Sequence, residues 1–165
     1  MTSEAAHLRA LLSTRPLRPY ERLSSDLGVE ARQAAEEILE SGWRVGTRPP
    51  VPVRPPIDWA TLLADHRSHH FHLHSWDFLE PALRAIDDGQ APDELIHFVV
   101  AVAHDWAARH PYFDPGAGMA WYDMAIGLRA LRLAYIVDLT VRFGLDDRLP
   151  ALIHSADQHR LALLR

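Results

Sequence analysis

The chain has 165 residues, 48% hydrophobic and 24% charged, enough to close one core and too apolar for wholesale disorder. Its net charge of −5, from 22 acidic against 17 basic residues, excludes the basic stripe of a nucleic-acid binder. With no Cys and no Lys, disulfides, thiolate metal sites, Cys nucleophiles and Schiff-base chemistry are excluded as well.

The N-terminus, MTSEAAHLRALLSTRP, has neither a basic start with an apolar run nor a small-residue cleavage site, and no apolar stretch reaches the ~18 residues of a membrane span. A cytoplasmic chain with no membrane partner is expected. Helices are predicted over 5–13 and 26–41, the second with Val29, Ala34, Ile38 and Leu39 near helical spacing and Gly42 as its stop, together a small N-terminal hairpin over 1–42. Residues 43–58 hold five of the 12 Pro and read as an extended connector. A third unit is expected over 59–165. It begins with a helix or turn near 59–64, then a helix over 75–87 stopped by Gly89, and one from Pro92, at the first helical position, to Arg109. After the loop HPYFDPGAGM come a helix over 121–143 capped by Gly144 and a last one ending at Leu164. No period-2 alternation is long enough for a sheet. The expected fold class is all-α, built of antiparallel helical hairpins.

Five of the 11 His lie between His66 and His74. An extended segment turns His70, His72 and His74 to one side, and a helical one turns His66, His70 and His74. Either geometry offers imidazoles to a metal, with Asp77 as a further ligand, or packs them at a helix entry. The spacing is unspecific and the fourth ligand is missing, so no metal or other cofactor is expected. Asp105 and Arg109 form an i,i+4 pair of structural type. Asp123 and Gly127 suit close helix packing. No Gly-x-Ser-x-Gly elbow or phosphate-cradling loop is present.

Trp121 and Arg129 stand eight residues apart, about two turns, and lean to one side of the predicted helix. A planar fork of donors suits a carboxylate and a flat indole suits the C–H face of a sugar, so the pair suggests an acidic-carbohydrate surface. The plainer alternative is a core Trp with Arg129 paired to Asp123 or Asp138.

Three segments in order, HHFHLHSWDFLEPAL from His69, AVAHDWAARHP from Ala101, and MAWYDMAIGLRALRLAY from Met119, resemble the helical toroid domain of heparinase II/III type polysaccharide lyases. The resemblance runs from about Ile57 to the C-terminus and implies a partial α/α toroid whose cleft is lined by His72, His74, Trp76, Trp121 and Arg129 as substrate-binding residues. In that family an Asn beside a His clamps the uronate carboxylate and a Tyr or His takes the C5 proton, with the clamp downstream of the segment matched here. This sequence contains no Asn, and neither Tyr122 nor Tyr135 matches the catalytic Tyr, so no catalytic residue is carried over. The implied partner is an acidic polysaccharide or oligosaccharide, bound without autonomous β-elimination. A homo-oligomer or a missing C-terminal half stays open, and the alternative is a helical protein-interaction module with an exposed apolar seam.

Overall fold

The computed structural model describes residues 3–15, 20, 30–61 and 67–165. Within them are seven α-helices: α1 (Ser3–Ser13), α2 (Ala31–Ser41), α3 (Arg67–His74), α4 (Glu80–Asp87), α5 (Asp93–Arg109), α6 (Asp123–Arg142) and α7 (Leu149–Leu163). Two 3-10 turns, Asp77–Leu79 and Gly118–Trp121, precede α4 and α6. There is no strand among the described residues, only an isolated antiparallel bridge between Trp43 and Val51. The protein is all-α. The expected helix start at Asp26, the turn beyond Thr61 and His66 lie outside the described residues.

Packing follows the apolar faces. α6 is central: it packs on α1, α5, α7 and the end of α3, while α4 packs on α2 and α5. α1 and α2 are thus held mainly by different partners. The Pro-rich segment is not extended throughout as expected: it turns back at 46–48, so that Val51 pairs with Trp43, and its Val51, Val53 and Ile57 are buried in the same cluster as Leu39, Leu83 and Val99. Asp105 anchors that segment, accepting from Ile57 N at 3.2 Å and from the Trp59 indole at 2.8 Å. It therefore ties the segment to α5, and the expected pair with Arg109 is not its principal bond.

Three boundaries differ from the expected ones in informative ways. The expected helix over 75–87 begins only at Asp77, with the 3-10 turn that leads into α4, because Trp76 adopts φ 65° and ψ 34°, a left-handed conformation costly for a bulky residue, and so separates it from α3. Full burial of its indole offsets that cost. Pro92 lies just outside α5 as an extended cap rather than in its first turn. α6 starts at Asp123, so Trp121 sits in the preceding turn and not two helical turns along the same rod from Arg129.

A glycine shapes the groove described below. Gly42 closes α2 with φ 87°, and a Cβ there would lie 2.7 Å from the Val51 carbonyl oxygen. Only glycine allows that approach. It lets Trp43 and Val51 exchange two backbone hydrogen bonds of 2.8 Å and sets the Trp43 ring 5.8 Å from that of Phe78.

Candidate functional site

The residues singled out in the sequence divide between a closed cluster and an open groove. Arg129 is completely buried and has no carboxylate partner among the described residues. Its Nη1 donates to the His74 carbonyl, its Nη2 to the Ala120 carbonyl at 2.7 Å, and its Nε to His159 Nε2 at 2.8 Å. The guanidinium carbon lies 3.9 Å from the Trp106 ring centroid, 5.5 Å from that of Trp121 and 5.9 Å from that of Trp76. Burial pushes its pKa well down, and three indole faces with two carbonyls supply the negative potential that a carboxylate would give.

The same cluster fixes two neutral histidines. His159 donates from Nδ1 to the Ser155 carbonyl at 2.7 Å, leaving Nε2 to accept from Arg129. His74 Nδ1 accepts from the Trp106 indole at 3.2 Å, so its Nε2 carries the proton and donates to the Trp59 carbonyl at 3.2 Å. Burial, reinforced by neighbouring positive groups, lowers His74 to about 2 and His159 to about 3. Trp121, Arg129, His74 and Trp76 do come together, within the core. There Arg129 closes the end of α3 instead of pairing with Asp123 or Asp138; Asp138 binds Arg142 at 2.8 Å.

His72 is the exception among the five expected binding residues. Its side chain is 43% exposed and lines a groove of about 760 Å³ bounded by α2, α3, the start of α4 and α6. His72 Nδ1 lies 2.5 Å from Asp77 Oδ2. Since a carboxylate only accepts, Nδ1 carries a proton, and Nε2 has no partner among the described residues. Asp77 is fixed in turn by Ser75 Oγ at 3.2 Å and by Arg132 Nη1 at 2.8 Å. Burial raises the Asp77 pKa, but the His72 hydrogen bond and the Arg132 charge pull it down and prevail.

Behind Asp77 the network continues inward. Arg132 Nη2 reaches Glu80 Oε2 at 3.2 Å, Arg84 Nε donates to Glu80 Oε1 at 3.1 Å, and the Tyr20 hydroxyl donates to Glu80 Oε2 at 2.6 Å. Two cations face two carboxylates, which makes the floor near neutral. Trp43, Phe71 and Phe78 give the groove aromatic walls, and Arg44 and Glu37 stand exposed at its edge. The Arg44 guanidinium makes no hydrogen bond among the described residues, whereas Glu37 accepts from Gln33 at 3.1 Å. Sequence reasoning missed Trp43 and Arg44, which lay unremarked at the start of the Pro-rich segment. Asp77, which the sequence offers as a further ligand to a metal that is not expected, accepts instead from His72 and Arg132.

Comparison of the chain with protein-family models, curated proteins and solved structures returns no match. No described helix is long and apolar enough to cross a membrane.

Proposed function

We propose that this chain is part of an α/α toroid resembling heparinase II/III type lyases and that it binds an acidic oligosaccharide without catalysing β-elimination by itself. The observation that carries the reading is His72: a carboxylate-oriented imidazole whose Nε2 faces a groove that also offers the Trp43 ring and Arg44, a cation without a partner among the described residues. Aromatic stacking on a sugar ring, a charge-assisted bond from Arg44 to a uronate carboxylate and a hydrogen bond between His72 Nε2 and a sugar hydroxyl form a complementary set. The binding surface thus keeps His72 from the residues implied by the resemblance and replaces Trp121 and Arg129 by Trp43 and Arg44. The missing Asn-His clamp is the reason for expecting no turnover.

Calorimetric titration with an oligouronate tests this. Binding weakened at least several-fold by Arg44→Ala and by His72→Ala, with no unsaturated uronate absorbing in the ultraviolet, is expected. Absence of binding to any uronic oligosaccharide overturns the reading, and absorbance growing with protein concentration overturns its non-catalytic part.

A second reading, a helical interaction module, has its own observation. Ala130, Leu133, Ala134, Ala156, Leu163 and Leu164 line an almost wholly apolar hollow of about 320 Å³ between α6 and α7. A mass that rises with concentration in sedimentation equilibrium, without any carbohydrate binding, would favour it.

A further inference from the structure

We propose that an apolar hollow beside the groove takes an aromatic ring, so that the ligand of the groove carries an aryl group next to its acidic sugar. The ring site stands on the hollow's own walls, and only its attachment to a sugar acid rests on the reading above. The hollow, of about 370 Å³, is formed where the turn leading into α6 meets α3. Met119 lies in that turn and Tyr122 directly after it, with the Tyr122 N–H donating to the Met119 carbonyl at 3.4 Å. Residues three apart in a 3-10 turn stand one above the other, so both side chains leave the turn on the same side. Met124, in the first turn of α6, and Phe71, on α3, complete the apolar walls, and both also line the groove. The hollow and the groove therefore adjoin.

The chemistry of the hollow differs from that of the groove. Its walls are apolar throughout, and Arg67, at the edge, holds its guanidinium carbon 5.4 Å from the Tyr122 ring centroid, so its charge is engaged by that ring. No cation is left for a second carboxylate. The rings of Phe71 and Tyr122 stand at 87° to each other with centroids 6.2 Å apart, which makes a corner of two aromatic planes. A third ring entering such a corner stacks on one plane and meets the other edge-on. Thioethers adapt their shape to a ring and contact it favourably, and two of the chain's three Met stand here. Met124 is 57% exposed, and Phe71, Met119 and Tyr122 are each half-buried, so four large apolar side chains keep surface in water around one hollow. A ligand ring removes that surface from water. An aliphatic chain would gain the burial without the ring stacking or the sulfur contacts.

The test is titration of the whole chain, labelled with carbon-13 in its Met methyl groups, with phenyl, cyclohexyl and methyl glucuronides and with 2-naphthol, which has no sugar. The signals of Met119 and Met124, assigned through Met119→Leu and Met124→Leu, should be displaced by the ring currents of the phenyl glucuronide and of 2-naphthol, and far less by the cyclohexyl compound. Phenyl glucuronide should bind about tenfold more tightly than methyl glucuronide and several-fold more tightly than the cyclohexyl one. Met119→Ala and Tyr122→Ala, at positions that do not line the groove, should remove that preference and leave binding of methyl glucuronide unchanged. Circular dichroism verifies folding, and the Met119 change keeps the test available if the Tyr122 change perturbs the start of α6. Methyl glucuronide binding as tightly as phenyl glucuronide, or a phenyl preference untouched by both variants, overturns the ring site alone. Displacement of both Met signals by 2-naphthol without binding of any glucuronide keeps the ring site and overturns the carbohydrate reading. Met119 and Met124 signals that neither aromatic compound moves overturn the ring site whatever the sugar does.

Discussion

Arg129 shows how one residue type serves opposite ends. An Arg two turns from a Trp reads as a ligand clamp, yet here each nitrogen of the guanidinium is engaged by the protein itself. Replacing it by Ala strands two carbonyls and leaves a void among three indoles. The expected loss is about 3 kcal/mol or more, a melting-temperature fall of roughly 6–12 °C for a chain of this size. A melting curve unchanged by Arg129→Ala would show that the cluster does not hold the fold. The neighbouring histidines add a pH dependence. His74 and His159 have folded pKa values of about 2 and about 3, lowered from 6.5, so as pH falls below 6.5 the unfolded chain takes up two protons that the folded chain refuses. Stability is therefore complete above pH 6.5 and declines below it, by up to about 2.7 kcal/mol per pH unit. Asp77, with its lowered pKa, adds a loss in the same direction at lower pH. Urea midpoints at pH 7, 6 and 5 should decrease in that order, and a flat series would contradict the neutral burial of these rings.

At the scale of elements, the two buried arginines of α6 explain a helix whose polar residues point inward. Arg129 and Arg132, i and i+3 on one face, donate to the carbonyls of His74 and Ser75 at the end of α3, where four carbonyls of any helix lack partners. A cation there also suits the helix dipole. Gly127, read as a close-packing position, has no atom within 4 Å of where its Cβ would lie. Gly127→Ala should then stabilise α6 by about 0.5–1 kcal/mol, seen as a rise in melting temperature of roughly 1–4 °C; a fall would mean that the helix packs more tightly there. Gly42 is the opposite case. Gly42→Ala forces the new methyl against Val51 O, and a loss of about 2 kcal/mol together with weakened oligouronate binding is expected, because Trp43 moves with its bridge. Unchanged binding in the folded variant would separate Trp43 from the site. Helical periods were legible in the sequence for α5, α6 and α7, and the glycine stops after α2, α4 and α6, because they are local. The break at Trp76 between α3 and the turn leading into α4 was not, since a bulky residue enters the left-handed region only when burial of its ring compensates.

Across the whole molecule, the groove has little net charge: Arg132 and Arg84 face Asp77 and Glu80, and Arg44 is offset at the rim by Glu37. Glu37→Gln should accordingly raise affinity for an oligouronate several-fold at low salt and less at high salt, as rim charges are screened. Calorimetry at two ionic strengths checks this, and an unchanged or weakened affinity would place the carboxylates of the ligand away from α2. The sequence by itself determined that the chain is helical, that 43–58 is not, and that the 66–74 segment with the Trp and Arg of 119–135 holds its unusual side chains. Those conclusions follow from spacing, propensity and composition, all of which act over a few residues. Whether a given Trp, Arg or His faces ligand or core was decided only when α6 met the end of α3 and α2 met α4. A guanidinium with three protein acceptors and one with none among the described residues are the same residue type in a sequence. Their difference, Arg129 inside and Arg44 at the rim, arises from which carbonyls the tertiary packing leaves without partners.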